Sequence, residues 1–579
     1  MSQTSSKAVI ELREALNNAI KKGIENNALP QADIPAFIIE TPADRSHGDL
    51  ATNVAMASAK AFRMPPFKIA QIICENIELE NTLFSKIETA GPGFINLFYK
   101  PEYFSHVISE IHESGENYGR SDFGKGEKVM VEFVSANPTG PMHMGNARGG
   151  ALGDCLAAVL DAAGYDVWRE FYVNDAGNQI EKFACSLEAR YLQIFKGDEI
   201  TFPEDGYQGA DITELAKQYA DEYGDFLVDK ESEKRKKVLV DFALPKNIAK
   251  MQADMEKYRI YYDKWFFESQ LHESNQVKNV VDTLAEKGLT YEKEGAVWYK
   301  NAEVVTNRLK AQGVSQKDID KLELKDDVLI RQNGNPTYFA ADIAYHKNKF
   351  DRGFTTLIDV WGADHHGHVM RMKGAMDAIG CDGNKLNVVL MQLVKLVKNG
   401  ELVKMSKRTG KAIQLSDLLD EVSVDSARFL FNTREANTQM DFDLDLAVKQ
   451  DNQNPVYYVQ YAHARICSIL RSLAQDGITP KECTVEELNL LCADEERELI
   501  HYLSSYTDEI VLAAKEYDPT RITRYVTTLA TLFHKFYNAC RVKGDNEALT
   551  QARLSLCMCV KIVIKNILTM FHITCPDKM

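Results

Sequence analysis

The sequence lacks the two features that would direct a protein into or across a membrane. None of its apolar runs approaches the roughly 18 residues of a membrane-spanning helix. Residues 1–8 are mostly polar and contain no apolar core of the kind that a secretory signal peptide requires. We therefore predict a cytoplasmic protein that has no membrane partner.

The 11 cysteines do not show the spacing of a zinc site. Only Cys557 and Cys559 lie close together, and side chains two residues apart on a helix-like segment point in different directions. A structural zinc site would require repeated pairs of cysteines with histidine partners. We expect buried, reduced thiols and predict no metal site.

The chain also lacks the excess of positive charge that is typical of non-specific nucleic-acid binding. Lysine and arginine number 68 against 84 aspartates and glutamates, which gives a formal net charge of −16. A local basic face stays possible, because phosphates are contacted by patches of lysine and arginine and not by the mean charge.

Changes of pattern along the chain predict three domains. Residues 1–118 combine helical periodicity with a strand-like segment at 93–99, which predicts a small α/β domain. Strand-like and helix-like segments alternate over 119–450, and this alternation is typical of a doubly wound, mostly parallel sheet. The charged stretch at about 184–300 is predicted to be a helical insertion, and 451–579 an all-α bundle.

The densest group of chemically special residues lies in the turn at 135–146. An apolar strand, a turn rich in Gly and Pro, and a helix together direct a helix N-terminus towards an anion. His143, Gly145 and Asn146 stand where a phosphate would arrive. The preceding strand contains Glu132 among apolar neighbours, and a carboxylate in that setting needs a reason because its burial is costly.

A second chemical stretch follows a predicted hairpin. Asn399 and Gly400 are the residue types that a tight hairpin turn requires. The segment at 404–410 comes next, with three cations and two hydroxyl groups before a glycine. A basic run is usually a solvated face, but a mobile basic loop also suits a triphosphate whose charge must be met during a reaction.

Together, the two stretches resemble the signature motifs of class I aminoacyl-tRNA synthetases, His-Met-Gly-Asn at 143–146 and Lys-Met-Ser-Lys-Arg at 404–408. Further segments resemble the arginyl-tRNA synthetases in family order, at 48–53, 90–96, 135–141, 338–342, 361–368 and 454–465. The resemblance implies a Rossmann-type catalytic domain, an N-terminal domain that contacts tRNA and a C-terminal helical domain that binds the anticodon. One position departs from the pattern, because the class motif usually ends in a second histidine where this chain has Asn146.

The implied reaction joins arginine and ATP to arginyl-adenylate and pyrophosphate, and then transfers arginine to the 3′-terminal ribose of its tRNA. The attacking carboxylate is already charged, so positioning and charge stabilisation would supply the rate. We expect Mg²⁺ to accompany ATP, although no dedicated metal cage is visible. The expected catalytic residues are His143, Asn146, Lys404 and Lys407. The expected ATP contacts are Gly140, His143, Gly145, Asn146, Asp364, His368, Lys404, Met405, Ser406, Lys407 and Arg408.

Selection of arginine requires a carboxylate, because a guanidinium donates two parallel hydrogen bonds. Asp342 is the main candidate, and Tyr338 would share its helical face four residues earlier. The alternatives are a solvent-facing Glu132, a core role for Tyr338 and a helix-start role for Asp342. The expected arginine contacts are Glu132, Ser135, Asn137, His143, Tyr338, Asp342 and His366.

Gln460, Tyr461 and Arg541 are the predicted tRNA contacts, since unpaired bases stack on aromatic side chains. Core packing of the tyrosines at 457, 458 and 461 is an equally good interpretation. The histidine cluster at 364–368 could hold a metal ion, but the resemblance assigns it to the rim of the nucleotide and substrate sites.

Two other functions fit part of the sequence. A tRNA-binding paralogue that no longer activates an amino acid would be expected to lose His143 or the segment at 404–408, and both are present. A class I synthetase for another amino acid is disfavoured, because Asp342 with Tyr338 favours a cationic substrate and the turn at 135–138 favours arginine over lysine. We expect the enzyme to act as a monomer.

Overall fold

The computed structural model describes residues 2–42, 44–403 and 413–579. Its N-terminal part packs helices on an antiparallel sheet. In chain order the elements are α1 (Gln3–Glu25), β1 (Ile39–Glu40), β2 (Leu50–Thr52), α2 (Val54–Phe62), α3 (Pro66–Asn76), β3 (Phe84–Ala90), β4 (Phe94–Tyr99) and α4 (Pro101–Ser114). The strand order is β1-β2-β4-β3. Leu12, Leu16 and Ile20, at helical spacing along α1, are fully buried, so the apolar face of this helix covers the domain core.

A parallel sheet organises the middle of the chain. The first half of this region of the chain contains β5 (Lys128–Glu132), α5 (Met144–Ala162), β6 (Asp166–Val173), α6 (Asn178–Lys196), α7 (Ala210–Tyr223), α8 (Ser232–Lys257), β7 (Lys264–Phe267) and α9 (Ser269–Glu273). The second half contains α10 (Gln276–Glu286), β8 (Thr290–Lys293), β9 (Ala296–Tyr299), α11 (Asn301–Ala311), α12 (Gln316–Asp320), β10 (Asp327–Ile330), α13 (Tyr338–Asp351), β11 (Thr356–Gly362), α14 (His366–Ile379) and β12 (Leu386–Met391).

The order of strands in this sheet is β12-β11-β5-β6-β7, and every neighbouring pair is parallel. The chain moves outward from β5 through β6 to β7, and then returns to the other side of β5 to form β11 and β12. β5 and β11 therefore flank a topological switch point, where the crevice beyond the strand ends is the usual ligand site of such sheets. Glu132, the last residue of β5, pairs in register with Asp359 of β11. The predicted doubly wound sheet is confirmed.

The stretch at 184–300 differs from the predicted helical insertion. Helices α6, α7 and α8 do form a unit with its own apolar core. Residues 264–267, however, are β7, an edge strand of the central sheet, and β8 and β9 form an antiparallel sheet with β10. Strand β7 has only four residues, Lys-Trp-Phe-Phe, and a segment that short carries too little alternation to be separated from the long charged helices around it.

A small mixed sheet links the central sheet to the C-terminal helices. Its elements and those that follow are β13 (Val394–Lys398), β14 (Glu401–Leu402), α15 (Leu415–Glu421), α16 (Val424–Phe431), β15 (Met440–Asp443) and α17 (Leu444–Ala447). Strands β13 and β14 form the predicted hairpin, with positive φ at Asn399 and Gly400. The helical C-terminal region comprises α18 (Pro455–Gln475), α19 (Val485–Leu488), α20 (Asp494–Ser504), α21 (Tyr506–Glu516), α22 (Thr520–Ala539) and α23 (Glu547–Met570).

A buried ion pair joins the helix that follows β5 to the C-terminal region. Asp154 in α5 and Arg428 in α16 are 1% and 0% exposed, and they form a direct ion pair. Arg428 also donates to the carbonyl oxygens of Phe571, at 2.7 Å, and of Tyr258, at 3.1 Å. One guanidinium therefore ties α5 and α16 to the ends of α8 and α23. None of the helices in the described part of the chain combines the length and apolar composition of a membrane span.

We expect Arg428→Met to lower the free energy of unfolding by about 3–5 kcal/mol, because it leaves Asp154 buried without its main counter-ion. Unfolding in urea followed by circular dichroism measures the change. Arg120→Met is the matched control, since Arg120 pairs with Asp161 of the same helix at an exposed position and should change stability by less than about 0.5 kcal/mol. Equal effects of the two substitutions would contradict this account of the junction.

Candidate active site

The N-terminus of α5 is capped by two of the residues that the turn motif singled out. The His143 ring accepts a hydrogen bond through Nδ1 from the Gly145 amide, at 3.1 Å. The Asn146 side chain accepts through Oδ1 from the His143 amide, at 2.9 Å. This reciprocal arrangement is a capping box, and it fixes both side chains at the positive end of the helix dipole.

The cap also determines which proton His143 carries. Because Nδ1 accepts a hydrogen bond from a backbone amide, the neutral ring holds its proton on Nε2. Desolvation lowers the pKa of His143 below its ordinary value and thus favours the neutral ring. The ring can therefore donate from Nε2 to an oxygen atom beyond the helix end. Asn146 uses its carbonyl oxygen in the cap and keeps its amide group for donation.

The position of the His143 ring leaves no room for a side chain at Gly145. A Cβ atom at Gly145 would lie 2.8 Å from Cε1 and 3.0 Å from Nδ1 of His143. Side-chain carbons do not approach other atoms so closely, so any larger residue would displace the ring from the cap.

The backbone immediately after β5 is strained. Val134 and Ser135 have φ angles of +73° and +43°, in a region that residues with a Cβ rarely adopt and that is least favourable for a β-branched side chain. Strain of this kind costs of order 1–3 kcal/mol and is typical of functional sites. Val134 lies where three cavities meet, and each of them has a different chemical lining.

The first of these, which we call the helix cavity, has a volume of about 710 Å³ and includes the N-terminus of α5. Its lining contains His143, Gly145 and Asn146 together with Asp364 from the loop after β11. Val403 and Ile413, the described residues on either side of 404–412, also line it. The predicted contacts Lys404, Met405, Ser406, Lys407 and Arg408 lie outside the described residues.

The second, the acidic cavity, has a volume of about 850 Å³ and lies beyond the carboxyl ends of β5, β6, β7 and β11. Tyr338 and Asp342 both line it from the first turns of α13, so the prediction that they share a helix face is confirmed. Ser135 and Asn137 line it and also line the third cavity, which is described below. Glu268, from the end of β7, completes the lining with a second carboxylate.

The carboxylates of Asp342 and Glu268 are contacted by histidine rings and by a tyrosine hydroxyl. His368 contacts Asp342 Oδ2 through Nε2 at 2.6 Å, and His346 contacts Asp342 Oδ1 through Nδ1 at 3.2 Å. The Tyr172 hydroxyl donates to Glu268 Oε2 at 2.8 Å. Within the described residues, neither carboxylate forms an ion pair with lysine or arginine. Burial alone would raise the pKa of Asp342, but His346 and His368 outweigh it and hold the carboxyl ionised, with its pKa well below the usual range.

Glu132, the strand acid, has a dedicated cation. Lys349 Nζ lies 2.5 Å from Glu132 Oε2 and 2.8 Å from Asp359 Oδ1. Ser135 donates through its hydroxyl to the other Glu132 oxygen, at 2.7 Å. Glu132 also lines the acidic cavity, at only 7% exposure. It is therefore a buried, paired acid and not a solvent-facing one.

The third, the outer cavity, has a volume of about 1110 Å³ and lies between the turn at 135–146 and the insertion helices. Gly140 lines it, together with His143, Asp211 and Lys250. Gly140 lines neither of the other cavities, so its expected contact with ATP is not supported by its position.

Three other expected contacts also lie elsewhere. His368 lines the acidic cavity and not the helix cavity, because its ring is bonded to Asp342. His143 lines the helix and outer cavities but not the acidic cavity. His366, the first residue of α14, is exposed and lines none of the three.

Sequence reasoning missed Glu268, Tyr172 and Asn174. The Asn174 amide donates to Glu268 at 3.0 Å in the orientation that satisfies both of its polar groups. Tyr172 and Asn174 lie at the end of β6, and Glu268 directly follows β7. The signal that could have found them is the position of polar side chains at strand ends, which for Glu268 required β7 to be recognised as a strand.

Among the described residues, one group of side chains has donor atoms close enough for a metal ion, namely His463, Cys467 and Asp577. The Cys467 thiol donates to Asp577 at 3.1 Å, and His463 contacts the carbonyl oxygen of Pro576 at 3.0 Å. These bonds fasten the C-terminus to α18. The histidine cluster at 364–368 does not form such a group within the described residues.

Comparison with known proteins agrees with this geometry. Residues 107–466 match the family model for the catalytic domain of class I tRNA synthetases of the arginine type. The curated arginine–tRNA ligase of Ruminiclostridium cellulolyticum is 52% identical over 581 aligned residues, which cover 100% of both chains. The chain belongs to the arginyl-tRNA synthetase family.

Other parts of the chain match this family as well. Residues 11–99 match the arginyl tRNA synthetase N terminal domain, and 459–579 match the DALR anticodon binding domain. The arginine–tRNA ligase of Acetivibrio thermocellus is 52% identical over 98% of each chain. The solved arginyl-tRNA synthetase of Thermus thermophilus, at 21% identity, has the same fold, with a TM-score of 0.71 over 98% of this chain and 100% of that one.

The region that matches the anticodon-binding family model contains a cavity of about 530 Å³, lined by Tyr457, Tyr458, Tyr461, Arg465 and His534 among others. The three tyrosines are half-buried, so they border the cavity and pack on their neighbours as well. Gln460, at 8% exposure, does not line this cavity, and its amide donates to Asp425 and Thr574. Those bonds leave Gln460 unsuited to a contact with tRNA. Arg541 is exposed.

We expect Gly145→Ala to lower the turnover number of tRNA arginylation about 10- to 100-fold, because the methyl group displaces the His143 ring from the helix cap. Steady-state kinetics measures the effect, and the thermal midpoint should change little. Gly544→Ala is the matched control, since a methyl group there meets nothing within 4 Å. An arginylation rate unaffected by Gly145→Ala would contradict the role of the cap.

Proposed function

We propose that this chain is an arginine–tRNA ligase in which the acidic cavity holds the arginine side chain and the helix cavity holds ATP. The observation that carries the assignment is the pair of carboxylates Asp342 and Glu268. Both line one cavity, and neither forms an ion pair with lysine or arginine in the described residues. A cationic, planar substrate group would form charge-assisted hydrogen bonds with both carboxylates.

Recognition of the guanidinium would rest on geometry and on charge. Tyr172 donates to Glu268 and lines the same cavity, which therefore offers aromatic surface together with acceptor oxygens. Burial raises the pKa of Tyr172 well above its usual value, and the charges of Glu268 and Asp342 raise it further. Tyr338, at the mouth of the cavity, is 42% exposed and free to pack on the substrate.

Ser135 and Asn137 are the proposed contacts of the substrate's amino and carboxylate groups. Both residues lie at the junction between the acidic cavity and the outer cavity, and the helix cavity meets them at Val134. An arginine whose side chain enters the acidic cavity would thus present its carboxylate towards the N-terminus of α5. That arrangement brings the nucleophile close to the α-phosphate of a bound ATP.

Stabilisation of the phosphate charge is the proposed role of the helix cap. His143 would donate from Nε2, Asn146 from its amide group, and the N-terminus of α5 would contribute its dipole. Lys404 and Lys407 are the proposed contacts of the pyrophosphate. In support, the residues that flank their segment, Val403 and Ile413, line the same cavity as His143.

Mg²⁺ is proposed to enter with ATP. Asp364 fits this ion as one carboxylate ligand, because it is exposed and lines the helix and acidic cavities, and Mg²⁺ takes its remaining ligands from phosphates and water. Bound in this way, the ion would neutralise phosphate charge. A monomeric state, a cytoplasmic location and tRNA contacts through Tyr461 and Arg541 stay predictions.

The purified protein should charge tRNA with arginine and not with lysine in the presence of ATP and Mg²⁺. Asp342→Asn should raise the KM for arginine about 10- to 100-fold, because the amide loses a charge-assisted hydrogen bond, while the KM for ATP stays within about twofold. Labelled amino acids measure the charging of tRNA, and steady-state kinetics measures the two KM values.

The matched control is Asp351→Asn, at an exposed position of the same helix, where the carboxylate pairs only with Lys347. Its kinetic constants should match those of the unmodified protein. Charging with lysine at a rate equal to that with arginine would refute the proposed specificity. An equal rise of both KM values in Asp342→Asn would refute the assignment of the acidic cavity to the side chain of arginine.

A further inference from the structure

We propose that Lys349 and His346, a pair of buried cations behind the acidic cavity, are positioning residues that fix the carboxylates of the arginine site. This inference rests on the proposed function, because it assigns the cavity to arginine. Neither residue lies where it can be the main contact of a substrate. Lys349 is 0% exposed and His346 is 1% exposed.

The two cations connect one acidic side chain from each of β5, β11 and α13, and those of β5 and α13 line the cavity. Lys349 bridges Glu132 and Asp359, at 2.5 and 2.8 Å. His346 contacts Asp359 through Nε2, at 2.7 Å. Its Nδ1 donates to the backbone carbonyl oxygen of Asp342, at 2.8 Å, and lies 3.2 Å from the Asp342 carboxylate. Glu132, Asp359 and Asp342 thus belong to one continuous chain of ion pairs.

Contacts at the ends of this chain reach the substrate-facing residues. The Ser135 hydroxyl donates to Glu132 at 2.7 Å and accepts a hydrogen bond from the Tyr172 amide at 3.2 Å. At the other end, His368 contacts Asp342 at 2.6 Å. The buried cations therefore determine the positions of Ser135 and of Asp342, which lie at opposite ends of the proposed arginine site.

The chain of ion pairs ends at the acidic cavity. Burial and the neighbouring Lys349 lower the pKa of His346, but Asp359 and Asp342 outweigh them and raise it to about 10, so the ring is cationic at neutral pH. Asp342 is the member of the chain that lies nearest the exposed Tyr338, one helical turn away, so its carboxylate is presented to the cavity that would receive the guanidinium.

Other groups around the two cations do not replace this arrangement. The Tyr345 ring lies 4.4 Å from Lys349 Nζ, and its hydroxyl donates to Glu170 of β6. Glu170 has its own ion pair with Arg352. Trp361 of β11 contacts the His346 ring edge-on and carries no charge. Together with Glu132, Asp342, Asp359 and His368, these are the groups that face Lys349 and His346 from the surrounding elements.

A requirement for stability alone would not explain a chain of buried charges. Replacement of buried ion pairs by apolar residues of similar size is often neutral or stabilising, so stability alone is a weak reason for this chain of charges. Fixing the direction of a carboxylate that must meet a planar guanidinium is such a function, because bidentate contacts tolerate little displacement.

The test measures the KM values for arginine, ATP and tRNA in Lys349→Met and His346→Gln. The expected result is a rise of at least about tenfold in the KM for arginine, with the other two KM values within about twofold. His346→Asn should cause a smaller rise than His346→Gln. Its shorter amide can reach the position of Nδ1 and keep the contact with Asp342, whereas the glutamine amide reaches the position of Nε2. Lys347→Met, which removes an exposed ion pair with Asp351 of the same helix, is the matched control and should have no effect.

The pH profile separates a positioning role from a structural one. Arginine binding requires ionised carboxylates, and loss of either cation raises the pKa values of the acids that it contacts. In both variants, the fall in arginylation on the acid side should therefore begin at a higher pH than in the unmodified protein. A purely structural loss would lower the rate equally at all pH values.

An unchanged KM for arginine in folded Lys349→Met and His346→Gln would overturn the proposal, and so would equal rises in all three KM values without a shift of the pH profile. If Lys349→Met does not fold, Lys349→Met with Asp359→Asn removes one charge of each sign, which a buried site tolerates better, and the same rise in KM is expected. Failure of the unmodified protein to charge arginine would instead refute the proposed function.

Discussion

Lys349 lies without exposed surface between Glu132 and Asp359, at the point where the strand order of the central sheet reverses. The lysine holds Glu132, Glu132 accepts the Ser135 hydroxyl, and Ser135 belongs to the strained turn that begins at Val134. A valine with positive φ persists only where its surroundings fix it. Because the three cavities meet at Val134, their relative positions depend on this buried ion pair.

The same constraint connects the two halves of the proposed chemistry. On one side, the chain of ion pairs through His346 ends at Asp342, which lines the cavity proposed for the cationic side chain of the substrate. On the other, the turn after β5 leads to the capping box of His143 and Asn146, which presents hydrogen-bond donors to phosphate. Asn146 uses its oxygen to hold the cap and keeps its amide group for donation. It can therefore donate a hydrogen bond where the class motif usually has a second histidine, but it adds no positive charge. The proposed sites for selecting and for activating the amino acid therefore both depend on the carboxyl end of β5.

Local patterns were sufficient to predict much of this arrangement. The turn at 135–146 was recognisable because its glycines and its histidine lie within 12 residues, and Tyr338 and Asp342 because helical spacing puts them on one face. Glu268 could not be predicted, since it reaches the site only through β7, a strand of four residues. The pairing of Glu132 with Lys349 joins residues 217 positions apart and depends on the crossover between β5 and β11. Gln460 was misassigned because the pattern of α18 does not reveal which face contacts the C-terminal tail.

The central claim is that charge, and not shape, selects the substrate. Citrulline tests it most directly, because it has nearly the shape of arginine but carries a neutral urea group in place of the guanidinium. Inhibition of arginine charging by citrulline is the measurement. The account predicts no inhibition at about a hundredfold excess of citrulline over arginine, since a neutral urea group brings no positive charge to Asp342 and Glu268. Half-maximal inhibition at a concentration within about tenfold of the KM for arginine would contradict it.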